Sequence, residues 1–308
     1  MYKQLLLDNI MIRSLADRNC IGSSGEPHQE YQYHELIKNI RDYGVNTEGR
    51  NGVTRSVFGA TMCFDLGEGI IPLLTTKRLA WKTCLKELLW FLSGSTSNKD
   101  LNDKGVHIWD GNSSKEYLET RGLDYTDGEL GPIYGHQWRS YNGEYPSGKP
   151  GVDQIKKIID QINSGDKSHL RRLILSAWNP EQLDQMALPP CHILSQFDVT
   201  DNKLSCMMFQ RSADVGLGLP FNIASYAFLT HILAIHCGLE PGELIISVGN
   251  AHIYQEHLVS LLKQVERTPF PFPTLSIKRH SSIDDYSFDD FTISDYVHHP
   301  SIKMQMRP

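Results

Sequence analysis

The run Ile223–Cys237, IASYAFLTHILAIHC, is apolar on nearly every side, and no other stretch constrains the fold as much. A helix that is hydrophobic all round has no face to offer water, so it belongs at the centre of a domain with other elements packed about it. Gly238 closes it, being the residue type that most readily takes the left-handed conformation after a helix end. Asn222 stands at its mouth, where the plainest reading is a helix cap. With 308 residues, of which 40% are hydrophobic and 21% charged, the chain can bury a sizeable core around this helix. No apolar run approaches the ~18–20 residues of a membrane span. A net charge of −6 argues against a dominant nucleic-acid surface, though it permits a local basic pocket.

The stretch leading into that helix is Leu188–Asn222, LPPCHILSQFDVTDNKLSCMMFQRSADVGLGLPFN. It reads as a strand, a polar break, a second strand and a Gly-Leu-Gly turn. Asp201-Asn202 between Val199-Thr200 and Lys203-Leu204 predicts a two-residue hairpin. Pairing Thr200 with Lys203 and counting back sets Cys191 opposite Ser212 and His192 opposite Arg211. A slip of one residue would still leave Arg211 close to Cys191. A guanidinium beside a thiol is the electrostatic setting that lowers a cysteine pKa.

Elsewhere the apolar spacing predicts a helix over Gln29–Tyr43, stopped by Gly44, another over Trp81–Ser93 and a third over Val152–Ile162. Glu87 lies within the apolar surface of the second. A carboxylate there either finds a polar partner or titrates unusually high. The segment TEGRNGVTRSVFGATMCFDL opens as a glycine-rich loop with Arg50 and Arg55, suited to a phosphate, and ends as a strand. His107–Asn112 and Gly131–Arg139 are aromatic- and glycine-rich. Arg171-Arg172 leads the strand LILSAW, where strand geometry points its two side chains to opposite faces. GELIISVGNAHIYQEHL reads as a strand, a Gly-Asn break and the cluster His252, Tyr254, His257. These histidines lack an acidic or cysteine partner at metal spacing. The six cysteines, at 20, 63, 84, 191, 206 and 237, show no CxxC pair and read as reduced thiols of a cytoplasmic protein. The N-terminus shows no signal-peptide pattern. Residues 1–28 read as a variable leader, Pro269–Pro273 as a connector, and the whole as one α+β domain.

Seven segments, LLTTKR, KELLWFLSGST, GPIYGHQWR, RRLILSAWNP, LPPCH, QRSADVGLGLPFNIASY and AHIYQEH, resemble in order and spacing the folate-dependent thymidylate synthase family. The match runs over roughly residues 29–306, so residues 29–308 would form the catalytic domain. The resemblance implies a mixed, twisted β-sheet packed by helices with a long central buried helix, and a homodimer formed through a sheet face. It implies methylation of dUMP with 5,10-methylenetetrahydrofolate as carbon and hydride donor, and no metal. Cys191 would add to uracil C6, dividing one difficult step into easier ones. Arg50, Arg211, Ser212 and, from the partner subunit, Arg171 and Arg172 would hold the phosphate. Asn222 would read the base edge, with Gln210 and Asp214 also in the nucleotide site and His252 and Tyr254 on the ribose. Glu87 and Tyr134 would move protons. Trp109, Asn112, Leu188, Asp214, Gly218 and Phe221 would line the folate side, Trp109 screening the methylene-bearing intermediate from water.

Departures from the family pattern are local. The phosphate loop is a residue shorter, and the resemblance aligns Arg50 with the family's loop arginine, with Arg55 as the alternative ligand. Gly249-Asn250 stands where many members have Gly-Asp. Asn112 and Gly216 resemble the animal-type version. The chain ends in Arg307-Pro308 instead of a small apolar residue, which bears on closure of the lid. A lid that admits water would yield 5-hydroxymethyl-dUMP, as in the related deoxypyrimidine (dUMP or dCMP) hydroxymethylases. A non-catalytic nucleotide- or RNA-binding paralogue is a further alternative, disfavoured by the presence of Cys191, Glu87 and Asn222.

Overall fold

The computed structural model describes residues 28–49 and 52–306. The leader apart from His28, and the expectations placed on Cys20, Arg50, Arg307 and Pro308, lie outside the described residues. Helix α1 (Tyr31–Tyr43) ends at Gly44 and passes directly into the hairpin of β1 (Val45–Gly49) and β2 (Gly52–Asp65). Helices α2 (Trp81–Leu92), α3 (Tyr134–Ser140) and α4 (Gln154–Asn163) follow. Asp153 caps α4 by accepting the Lys156 N–H at 2.9 Å. Then come β3 (Leu173–Ser176), β4 (His192–Thr200) and β5 (Lys203–Asp214), helix α5 (Gly218–His236), β6 (Glu240–Tyr254) and α6 (Gln255–Gln264). A small hairpin of β7 (Thr274–Ile277) and β8 (Phe291–Ser294) completes the α+β domain.

The main sheet has six strands in the order β1-β2-β6-β5-β4-β3. β5 and β6 are parallel and every other neighbouring pair is antiparallel, so the sheet is mixed. Parallel neighbours need a long crossover, and α5 is that crossover. It lies on the inward face of β5 and β6, against Cys206, Met208, Leu244, Ile246 and Val248, all buried. Gly238 closes it with φ 74°, as its sequence position implied. At 19 residues α5 is, among the described residues, the one helix long and apolar enough to cross a membrane by length and composition. That corrects the expectation that no run approaches such a length. The helix goes instead to the core, since 78% of its most apolar 18-residue window is buried inside the domain.

Other expectations change in detail. The Gly-Leu-Gly turn is present at Gly216 and Leu217, but the helix already begins at Gly218, with Leu217 at the cap position. Asn222 is therefore inside the helix rather than its cap. β6 runs on through Gly249 and Asn250: Asn250 pairs with Phe58 of β2 and Ser212 of β5, and Val248 before Gly249 pairs with Ala60 and Gln210. Arg171 and Arg172 lie in a 3₁₀ turn, Leu170–Arg172, ahead of β3. The alternation argued for a strand does not apply to them.

Phe228 is fully buried in α5, against the rings of Trp81 and Phe291. Phe228→Ala is expected to cost about 3–5 kcal/mol in urea unfolding. Val259→Ala, on the exposed side of α6, should stay within about 0.5 kcal/mol of the parent. Equal effects would mean that α5 is not the centre of the core.

Candidate active site

Asp201 and Asn202 take left-handed φ values of 49° and 62° at the tip of the β4–β5 hairpin, as a two-residue turn of the mirror-image type demands. From Thr200–Lys203 down to Leu194–Phe209 the pairing is the one counted from the turn. A bulge at Ile193 then shifts it, so His192 faces Gln210. Cys191 accordingly faces Arg211, not Ser212, and its carbonyl accepts the Arg211 N–H at 2.8 Å. The Arg211 guanidinium approaches the thiol, Nη2 to Sγ 3.8 Å. Its Nε and Nη2 also donate to the carbonyls of Pro190 at 2.7 Å and Pro189 at 2.9 Å. Against the expectation of a lowered thiol pKa, burial pushes Cys191 up, and Arg211 opposes this without overcoming it. Removing the thiolate from water costs more here than one cation returns.

The Cys191 N–H donates to the Tyr134 hydroxyl at 2.7 Å. Tyr134 opens α3 and is buried, its ring stacked on His192 with centroids 4.1 Å apart. Burial, then the neighbouring Cys191, pushes its pKa well above the phenol range. Trp109 packs edge-on to Tyr134 at 6.3 Å and donates its indole N–H to Glu87 Oε1 at 2.6 Å. Glu87 thus satisfies both alternatives posed for it. It has a polar partner, and burial outweighs that bond to raise its pKa to about 7.

On the far side of Cys191, Gln210 Nε2 donates to the Ser212 carbonyl at 3.0 Å and to Asn222 Oδ1 at 2.9 Å. A carbonyl can only accept, so the Ser212 contact fixes which end of the Gln210 amide faces inward. That in turn fixes Asn222 with its oxygen toward Gln210 and its NH₂ turned away. Asp214 ends β5 and accepts the Gly216 N–H at 2.8 Å. A Cβ on Gly218 would stand 3.7 Å from Asp214 and 4.0 Å from Asn222, which measures how closely these three gather. Asp214 pairs in register with His252, whose Nδ1 contacts Asn250 Oδ1 at 3.0 Å and whose ring meets Tyr254 edge-on. Leu188 and Phe221 pack half-buried on the core. Asn112 is buried with its Nδ2 lacking a hydrogen-bond partner.

Two expected groups are placed apart. Arg171 and Arg172 are exposed, and among the described residues neither makes an ion pair. Arg55, weighed as a phosphate ligand, is spent on the end of α1: its guanidinium donates to the carbonyls of Ile40 and Arg41 and to Asn46 Oδ1. Sequence reasoning missed three neighbours. His192 is buried against Tyr134 and bonded to the Tyr226 hydroxyl at 2.9 Å. Lys77 is buried and donates to the Gly216 carbonyl at 2.5 Å, its pKa lowered by burial to about 8 despite Asp214 nearby. Trp178 lies under Arg211. His192 stands beside the thiol in the chain, and Lys77 and Trp178 lie in the segments LLTTKR and RRLILSAWNP, but nothing local in the sequence tied the last two to Cys191.

A half-buried thiol, a guanidinium beside it, a carboxyl titrating near neutrality and an oriented amide are the equipment of a group-transfer site with a cysteine nucleophile. The thymidylate synthase family model matches residues 31–308. The chain is 49% identical to human thymidylate synthase, covering 91% of each chain. It is also 49% identical to that of Herpesvirus ateles, covering 99% of the viral chain. It is 51% identical to the bifunctional dihydrofolate reductase-thymidylate synthase of Paramecium tetraurelia, and spans 62% of that longer protein's length. The chain belongs to the thymidylate synthase family.

Glu87 sets a pH dependence. A carboxyl whose folded pKa of about 7 lies above its ordinary 4.5 contributes stability that is complete at low pH and lost as pH rises through 7. Between pH 5 and 8 the parent should therefore lose about 1–3 kcal/mol that Glu87→Gln keeps. Parallel slopes in chemical denaturation across that range would show that Glu87 ionises as freely as an exposed carboxylate.

Proposed function

We propose that this chain is a thymidylate synthase that methylates dUMP to dTMP, with 5,10-methylenetetrahydrofolate as its one-carbon and hydride donor. The observation that carries the reading is a pair of contacts made by adjacent residues of β5: Arg211 approaches Cys191 at 3.8 Å, and Gln210 donates to Asn222 at 2.9 Å and so orients its amide. Cys191 Sγ bonds to C6 of the pyrimidine, and the electron pair of the C5–C6 double bond moves toward O4, leaving C5 nucleophilic. Arg211 Nη1 is free of the proline carbonyls for the phosphate, with Ser212 next to it in β5. The outward NH₂ of Asn222 meets uracil O4, an acceptor, whereas cytosine would present its own NH₂ there. This supports a uracil substrate over a cytosine one. Glu87, protonated about half the time near neutrality, gives and takes protons at O4 and C5 with Tyr134 and ordered water. His252 and Tyr254 hold the ribose.

Bound folate supplies a carbon at the formaldehyde level and then a hydride. The residues on that side suit it. Asn112 offers a buried, unpartnered amide N–H, Asp214 a carboxylate for the pterin ring, and Trp109, Leu188, Gly218 and Phe221 an apolar wall. The tail adds cover, since the His257 ring contacts the Gln305 carbonyl at 2.9 Å and Met304 packs at Gly216. Such packing keeps water from the reacting carbon, which favours methyl over hydroxymethyl product.

The chain acts as a homodimer in this reading. The sheet face opposite α5 exposes Leu194, Met207 and Phe209, 39%, 48% and 40% accessible, and such an apolar face marks a docking surface. A second copy covers it, and Arg171 and Arg172 then reach the partner's phosphate site. Reduced cysteines, with no disulfide among the described residues, fit a cytoplasmic location.

Incubation with dUMP and methylenetetrahydrofolate should give a product heavier by CH₂. A gain of CH₂O would assign a hydroxymethylase, and faster turnover of dCMP than dUMP would undo the Asn222 assignment. Cys191→Ala should abolish turnover while retaining dUMP binding by calorimetry, since phosphate and base contacts remain; unchanged activity would remove the mechanism.

A further inference from the structure

We infer that Trp178 is a positioning residue for Arg211, its ring face holding the guanidinium turned toward the Cys191 thiol. Trp178 lies just past β3, with its indole under a side chain delivered by a different strand, β5. The Arg211 Cζ sits 5.8 Å from the ring centroid, within the range where a cation is drawn to the negative face of an indole. The backbone beneath the indole is fixed on both sides. The Trp178 carbonyl accepts from the Tyr141 hydroxyl at 3.2 Å and from Ser176 Oγ at 3.3 Å. The next residue, Asn179, is buried and donates to Asn142 Oδ1 at 2.8 Å and Gln182 Oε1 at 2.9 Å.

The remaining restraints on Arg211 act on one edge only. Nε and Nη2 donate to the carbonyls of Pro190 and Pro189. These residues have no N–H of their own, so the carbonyl is the polar group their backbone presents. Bonds along one edge of a guanidinium leave it free to tilt about that edge, and a tilt would carry Nη2 away from Sγ. A ring against its face resists that tilt. Arg211 opposes the burial of Cys191, so any loosening of it should show in the reactivity of the thiol. The catalytic consequence rests on Cys191 being the nucleophile read above, whereas the thiol's reactivity can be read without any turnover.

The test is site-specific replacement of Trp178 by mono-, di- and trifluorinated tryptophan. These keep the shape of the ring while draining its face of electron density. The rate at which iodoacetamide alkylates Cys191 is followed against pH by mass analysis of the Cys191 peptide. The expected result is a stepwise upward move of the pH midpoint and a fall in rate near neutral pH, about threefold over the series, with Tm unchanged. Trp178→Phe, which keeps an aromatic face, should fall less than Trp178→Leu, which has none. A flat rate and midpoint across the fluorinated series would overturn the inference, even if Trp178→Leu proved unstable. A graded response in a chain that fails to methylate dUMP would leave this inference standing and remove the functional reading instead.

Discussion

The structure depends on giving α5 no contact with water along most of its length. Its apolar surface is satisfied only if a sheet lies on one side and other helices close the rest. Because α5 also joins β5 to β6, burying it makes those two strands parallel neighbours at the middle of the sheet. This places the start of the helix at the end of β5, where Gln210 bonds Asn222 and Asp214 lies beside Gly218. The same burial brings α2 against α5, and α2 carries Glu87. The site is thus a by-product of where the core helix must begin.

Within that site, burial and charge compete, and the outcome differs by residue. At Cys191 the loss of water outweighs the nearby guanidinium, so the resting thiol keeps its proton. At Glu87 burial outweighs the Trp109 bond and leaves the carboxyl near neutrality. At Lys77 burial outweighs Asp214 and weakens the ammonium. A thiol held protonated until its partners assemble is protected from stray oxidation, and a carboxyl poised near neutrality can serve in both directions.

Much of this was legible in the sequence because hydrophobic period and turn chemistry are local signals. The Asp201-Asn202 turn fixed the hairpin register for most of its length, and the all-apolar run fixed α5. The bulge at Ile193 left no such mark, since an extra residue in a strand changes pairing without changing composition. Asn222 was misplaced as a cap: Gly216 and Leu217 do form a turn, but the helix starts at Gly218, four residues before Asn222 and ahead of the apolar run that marks it in the sequence. Arg171 and Arg172 were read as strand residues because they abut an evident strand. The pairing of Arg211 with Trp178 was invisible for a different reason: it joins two strands through side chains alone.

The orientation of Asn222 shows how far such remote effects reach. An isolated amide suits uracil or cytosine equally, since turning it over exchanges donor and acceptor. Here the choice passes back through Gln210 to the Ser212 carbonyl, a backbone group that no substitution can convert into a donor. In the function proposed here, base preference would therefore be anchored in the main chain of β5, two contacts away from the base. A change at Gln210 would free the Asn222 amide without touching the substrate, so discrimination can fail while binding of the phosphate and ribose survives. That separation is what a site needs when affinity comes from charge and selectivity from one oriented dipole.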